Sequence, residues 1–381
     1  MKVMHIISGL GQGGAESVMY RLLTATRDQF EHEVISLGGL DEFGPRLQAE
    51  GITVHALELS RRNFLTQGKQ RVLEKVAAAQ PEVIQCWMYH ANAFAGWWLY
   101  RAGYGKKIIW NIRNSGLQRQ EFSRLSRFSL RLGAWLSRWV PAAIVSCAHS
   151  AVRQHQRLGF KGPTMQVIVN GVDPEVWRPN HEAGQQKRTQ LRIQPHMPVL
   201  GVVARWHALK DYPNLLAALA QVIEQYPNVR CLLLGSGVEQ TNKQLMAQLE
   251  QHQLLSNVLL LGQREDVPEW MRAMDVFVLA SKAEGFPNVV CEAMASGLRC
   301  VVTDVGDAAY IVGEQGVVVA PEQPEQLAQG IKQALHELGT DQHRQAVEQG
   351  RQRVEQEFSL ARMVSAYAAL WQEVGAGGQT T

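Results

Sequence analysis

The feature that most restricts the fold is an alternation. Along nearly all of the 381 residues, short runs of apolar and β-branched side chains trade places with stretches of helical periodicity. In the first half the strand candidates are residues 3–7, 33–37, 53–56, 83–86, 107–111, 143–145 and 166–169. Helical periods fill 15–26, 66–79, 92–102, 123–139 and 150–158 between them. Such alternation builds a parallel sheet, because each parallel connection needs a crossover long enough to hold a helix. Asn170-Gly171-Val172-Asp173-Pro174 then breaks the pattern with a turn signal and a proline. The polar stretch 180–188 has no hydrophobic period, and a linker is expected there. Strands resume at 199–204, 230–234, 258–261, 276–280, 300–303 and 317–319, with helices between them and a last one over 360–374. The expected fold class is α/β: two doubly wound parallel-sheet domains, 1–178 and 187–356.

The composition agrees. Hydrophobic residues make up 46% and charged residues 19%, which excludes a disordered chain. The longest apolar runs are about eight residues, well short of the roughly twenty that span a bilayer. Five cysteines form no CxxC pair and sit mostly in strand-like stretches, so they read as reduced core thiols of a cytoplasmic protein. The net charge of +3 hides a division. Residues 1–178 carry 22 Lys and Arg against 13 Asp and Glu, whereas 179–381 carry 16 against 22. One half is basic and the other acidic, which suggests an anionic partner for the first.

In open α/β sheets ligands bind beyond the carboxyl ends of the strands, so chemistry is sought there. Ser8-Gly9-Leu10-Gly11-Gln12-Gly13-Gly14 follows the first strand and opens a helix. Glycines at this place let backbone amides approach a phosphate. The loop fits a dinucleotide fingerprint, but Glu31 and Glu33 fall at the start of the second strand and Asp41 lies well past its end. A loop that supports a sugar phosphate fits equally well.

The stretch from 275 to 304 is richer. A strand ends at Ser281, the loop Lys282-Ala283-Glu284-Gly285-Phe286-Pro287 follows, and a helix is expected to start at Asn288 as N-cap. Glu284 lies in the loop and Glu292 one turn into the helix, so both can face a ligand beside free helix amides. A diphosphate flanked by hydroxyl-bearing groups suits that set, since carboxylates accept hydroxyl hydrogen bonds. Arg205 and Lys210 follow the strand 199–204 as two fixed cations that can neutralise a departing diphosphate. Gly235-Ser236-Gly237 and Gly262-Gln263-Arg264 end the next two strands. Taken singly, these residues also read as solvated loops and helix surface.

Arg205 with Lys210, the stretch EGFPNVVCEAMASG from Glu284, Gly13-Gly14-Ala15-Glu16 and Asn170-Gly171-Val172-Asp173 together resemble the family-4 retaining glycosyltransferases over nearly the whole chain. The resemblance implies a GT-B fold, two Rossmann-like domains facing across a cleft. It also implies that the last helix, 359–374, packs back on the first domain. The first domain would bind the acceptor and the second a nucleotide-diphosphate sugar, with a UDP-sugar favoured. By resemblance, Arg205 and Lys210 hold the diphosphate, Glu292 the ribose hydroxyls and Glu284 hydroxyls of the transferred sugar. The backbone at Phe286, Pro287, Asn288 and Val289 adds amides, and Gly235 and Arg264 lie near the nucleotide. Gly13 and Gly14 approach the phosphates, and His90 matches a histidine close to the reacting sugar. Arg113 ends the neighbouring strand and reads equally as a ligand contact or a structural residue. The chemistry expected is stabilisation of the leaving nucleoside diphosphate, with no metal or other cofactor required by the motifs. The competing readings are a sugar-nucleotide epimerase or phosphorylase of the same fold, a dinucleotide-dependent oxidoreductase, and a non-catalytic binding protein.

The acceptor expected is a glycan or lipid-linked glycan in cell-surface polysaccharide synthesis, and no nucleic acid. Within 123–139, Leu125, Phe128, Leu132, Trp135 and Trp139 recur at helical spacing beside Arg124, Arg127, Arg131 and Arg138. This helix reads either as peripheral on the anionic inner face of the cytoplasmic membrane or as a core helix with solvated arginines.

Overall fold

The computed structural model describes residues 1–60, 63–113, 124–162 and 165–377. The chain forms two units, Met1–Gly171 with the segment from Leu360 onward, and Val172–Ser359. In the first, seven parallel strands run β1 (Lys2–Ile7), β2 (Glu31–Ser36), β3 (Thr53–Ala56), β4 (Val83–Trp87), β5 (Ile108–Ile112), β6 (Ala143–Ser146) and β7 (Met165–Val167), in the order β3-β2-β1-β4-β5-β6-β7. The second holds β8 (Val199–Val203), β9 (Arg230–Leu234), β10 (Val258–Gly262), β11 (Val276–Leu279), β12 (Arg299–Thr303) and β13 (Val317–Val319), in the order β10-β9-β8-β11-β12-β13. The α/β class expected from the alternation is the one observed.

Both faces of each sheet are covered, which is why the strands read as continuous apolar runs. In β1, Val3 and Ile7 enter the core that holds Leu22 and Trp371, whereas Met4 and Ile6 enter the opposite one with Ile84 and Trp110. Successive side chains of a strand point to opposite faces, so a single short run feeds two cores. Strand order reverses once in each sheet, between β1 and β4 and between β8 and β11. These are the switch points at which the loops leave to opposite sides and open a crevice.

The unit boundary differs from the sequence expectation. The chain leaves the first unit at Gly171, not near Asn180. The stretch expected as a linker is the helix His181–Gln190, capped by Asn180, whose Oδ1 accepts the Ala183 N–H at 3.0 Å. It lacks an apolar stripe because polar bonds hold it. Arg188 reaches Asp275 Oδ1 at 2.8 Å and the Ala273 carbonyl at 2.9 Å. The helix Leu360–Gly377 buries Met363, Tyr367, Leu370, Trp371 and Val374 at spacings of three and four. Trp371 Nε1 donates to Gln85 Oε1 at 2.6 Å, and Asn111 Nδ2 donates to Tyr367 Oη at 2.8 Å.

Of the basic stretch 123–139, Ser123 and the Arg124 side chain lie outside the described residues. The rest forms the helix Arg124–Leu136 and a turn. Of its apolar row, Leu125, Phe128, Trp135 and Trp139 are exposed, whereas Leu132 is half-buried against the core of the first unit. The buried side is instead the small one, Ser129, Gly133, Ala134 and Ser137 with Leu136.

Candidate functional site

The loops after β8 and β11 meet at the switch point of the second unit. After β8 the chain turns through Ala208–Lys210, with His207 Nδ1 accepting the Leu209 N–H at 3.2 Å. Asp211 then takes a left-handed φ of 49°. The Lys282 N–H donates to the Leu209 carbonyl at 2.8 Å and joins the two loops. This brings Lys210 Nζ to 2.6 Å from Glu284 Oε1, and Ser281 Oγ donates to the same oxygen at 2.6 Å. Lys282 Nζ lies 3.4 Å from Asp211 and 3.0 Å from Glu322. Burial raises the Asp211 carboxyl above the usual range, and the Lys282 ammonium opposes it. Sequence reasoning did not single out Ser281, Asp211 or Lys282 as parts of the site, although each is adjacent to, or within three residues of, one that it did.

Arg205 is exposed at the end of β8. Gly235 stands beside it with φ 145°, where a Cβ would collide with the Ala204 carbonyl. Only glycine lets the ends of β8 and β9 approach this closely. Phe286 and Pro287 are buried, and the Phe286 ring meets Phe358 at 5.7 Å, which anchors the loop from behind. The helix Asn288–Ala295 has Pro287 as its N-cap, not Asn288. Proline has no side-chain acceptor, so Pro287 cannot cap the opening amides as an Asn N-cap would. Glu292 is half-buried one turn along.

Arg264 stands apart from this cluster. It follows β10, the edge strand, and forks onto Asp266 at 2.7 and 3.0 Å, while Lys187 approaches the same carboxylate at 2.6 Å. These cations, Arg264 first, hold the Asp266 carboxyl well below the usual carboxylate range.

The remaining candidates belong to the first unit. Gly13 is the N-cap of the helix Gly14–Thr26, and a Cβ there would strike the Glu16 carboxylate folded back over it. Burial raises the Glu16 carboxyl, with Arg113 opposing. Asp41 does reach the glycine loop, where its Oδ2 accepts the Leu10 N–H at 3.4 Å. A carboxylate bonded to the loop's own backbone is poorly placed to bind a ribose, which weighs against the dinucleotide reading. His90 ends the one-turn helix Met88–His90 after β4, across the switch point from the glycine loop. Met88 before it holds a left-handed φ of 70°, and burial lowers the His90 imidazole. Arg113 donates to Asn170 Oδ1 and lies 5.6 Å over the Trp87 ring.

Known proteins share this architecture. Residues 197–337 match the family described as Glycosyl transferases group 1, and residues 12–176 match Glycosyltransferase Family 4. EpsF of Bacillus subtilis (strain 168) is 27% identical over 80% of this chain and 79% of its own length. The UDP-Gal:alpha-D-GlcNAc-diphosphoundecaprenol alpha-1,3-galactosyltransferase of Escherichia coli is 32% identical over 37% of each chain. Among solved structures, Anabaena Alr3699/HepE in complex with UDP superposes with a TM-score of 0.86 at 22% identity, over 98% of this chain and 100% of that one.

Proposed function

As a glycosyltransferase of group 1 and family 4 with the GT-B fold, the protein moves a sugar from a donor to an acceptor, and we propose that the donor is a UDP-sugar held by the second unit. The observation that carries this is the Lys210–Glu284 pair at the β8/β11 switch point, with Arg205 at the end of β8 and a helix start whose N-cap position is a proline without a side-chain acceptor. In this reading Arg205 and Lys210 take the diphosphate, and the opening amides of the helix from Asn288 add to them. Glu292 takes the ribose hydroxyls and Glu284 the hydroxyls of the sugar. Gly235 lets the backbone come close, and Arg264 lies toward the base. Because Glu284, itself held by Ser281, already fixes Lys210, little side-chain freedom is lost when the cation engages phosphate. The same cation then stabilises the leaving UDP as negative charge develops, which is where fixed charges act most strongly. No step in this scheme calls on a metal.

In the first unit, Gly13, Gly14 and His90 flank that sheet's own switch point, where we place the acceptor hydroxyl and the attacking face. The acceptor we favour is a lipid-linked glycan in polysaccharide synthesis, by analogy with the named acceptor of the Escherichia coli relative. Such an acceptor sits in a membrane, so the enzyme would work peripherally on its cytoplasmic face. Among the described residues no helix is long and apolar enough to cross a membrane. The matches are to glycosyltransferases, and the epimerase alternative is set aside.

A thermal-shift panel of UDP- and GDP-sugars tests the donor. A bound ligand raises stability by RT ln(1 + [L]/Kd), so a saturating UDP-sugar raises the melting temperature of the wild type. Glu292→Ala weakens donor binding, while Glu284→Ala chiefly lowers turnover. Absence of a shift with every nucleotide sugar would defeat the donor assignment.

A further inference from the structure

The helix Arg124–Leu136 carries a surface that the donor chemistry does not use. One side fastens it to the first unit. Gly133 faces the Phe160 ring, and Ser137 Oγ accepts the Lys161 N–H at 2.9 Å. The side facing away holds Leu125, Phe128, Trp135 and, in the turn that follows, Trp139, which are 46%, 56%, 55% and 50% exposed. Steps of three, seven and four residues put them on one row. They are four of the twelve large apolar side chains exposed among the described residues, so the exposure is concentrated rather than scattered. The Trp135 and Trp139 rings meet edge to face at 5.0 Å, a paired aromatic ridge left to solvent.

Charge runs beside the ridge. Arg127, Arg131 and Arg138 are all exposed, and residues 124–139 contain no Asp or Glu. We propose that this face docks the protein on an anionic lipid bilayer, with the ridge in the headgroup–acyl boundary and the arginines on lipid phosphates. Tryptophan prefers that boundary because its ring is apolar and its N–H polar. Guanidinium forks match phosphate oxygens in pairs. A row of apolar groups flanked by cations alone, with no carboxylate between, is complementary to a surface that is apolar within and negative at its rim. The inference stands apart from the donor site, which belongs to the other unit.

Flotation of the full chain with vesicles tests it. At low salt the wild type floats with equimolar phosphatidylcholine and phosphatidylglycerol and stays behind with phosphatidylcholine alone. Neutralising Arg127 and Arg131 together (Arg127→Gln with Arg131→Gln) weakens the anionic-vesicle affinity roughly thirtyfold, at one electrostatic increment per arginine. Vesicles with brominated acyl chains quench tryptophan fluorescence in the wild type, and Trp135→Ser with Trp139→Ser abolishes most of that quenching. Both variants keep the wild-type melting temperature and the shift with UDP-sugar. Equal flotation on neutral and anionic vesicles, or none on either, overturns the proposal. So does a concentration-dependent dimer that the same substitutions dissociate, because the face would then join two copies. Should the arginine variant fail to fold, the quenching comparison decides by itself.

Discussion

The two units use one architecture for different electrostatic ends. At the observed boundary the first unit has 22 Lys and Arg against 12 Asp and Glu, and the second 16 against 23. The second unit pairs its charges. Arg188 with Asp275 and Arg299 with Glu337 are largely buried pairs, and Lys210 with Glu284 forms the candidate site. The first unit buries neutral rings. His5 Nε2 lies 3.1 Å from His32 Nδ1, His32 Nε2 lies 2.8 Å from Thr26 Oγ1, and Trp87 donates to His5 at 3.2 Å. His155 is likewise buried, 2.8 Å from Tyr89 Oη. In the proposed reading, fixed charge suits the unit that meets the diphosphate. Neutral rings leave the basic excess of the other unit at its surface, where it can act on a partner.

The contrast can be broken in four ways, the largest effect first. Lys210→Ala removes the cation at the switch point of the second unit, and kcat/KM for sugar transfer should fall by roughly two to three orders of magnitude. Its melting temperature should change little, and unaltered steady-state kinetics would remove the site from β8 and β11.

Acid should act on the first unit. Burial lowers the His32 imidazole from 6.5 to about 4, and His155 likewise to about 4. The unfolded ring therefore binds a proton at a pH where the folded ring does not. The stability is fully present above 6.5 and is lost as pH falls toward 4. For His32 alone the loss from pH 7 to pH 5 is about 2 kcal/mol. Near-ultraviolet circular dichroism, dominated by the tryptophans of the first unit, should lose stability to urea in that window. Simultaneous loss of donor binding, at every pH, would mean that the two units do not differ in this respect.

Ser281→Ala takes one hydrogen bond from Glu284 and leaves Lys210 to hold it. About 1 kcal/mol of positioning is at stake, so turnover should drop roughly fivefold with donor affinity nearly intact. A drop as large as that of Lys210→Ala would make Ser281 more than a support. The smallest effect is expected for Asn180→Ala, which uncaps the helix His181–Gln190 and costs the second unit about 1 kcal/mol or less without touching catalysis. Urea midpoints followed by donor binding would register it. No change would show that Arg188 and Lys187 secure the helix without the cap.

Much of this was legible in advance. Strands buried on two faces advertise themselves as apolar runs, and strand ends locate loops, so Lys210, Glu284 and Glu292 could be nominated. That Lys210 touches Glu284 could not be read. The two residues meet because β8 neighbours β11 in space, an adjacency that sequence order conceals. The helix His181–Gln190 escaped notice because hydrogen bonds from Arg188, rather than a hydrophobic stripe, hold it down. The helix Asp341–Glu357 escaped for a similar reason, burying only Ala346, Gly350 and Val354. Periodicity revealed the apolar row of the helix Arg124–Leu136, but periodicity cannot say whether a row meets a core or solvent. The small residues on its other side settled that in space.

The path of the chain at Gly171 has a consequence for assembly during synthesis. The Gly171 N–H lies 3.2 Å from Met363 Sδ, and a Cβ at Gly171 would collide with the Leu360 backbone. The first unit thus closes around residues separated by the whole of the second. Its core waits for Tyr367 and Trp371, among the last described residues to leave the ribosome. The second unit has its full set of strands well before that. The half that is translated later is therefore able to finish folding first.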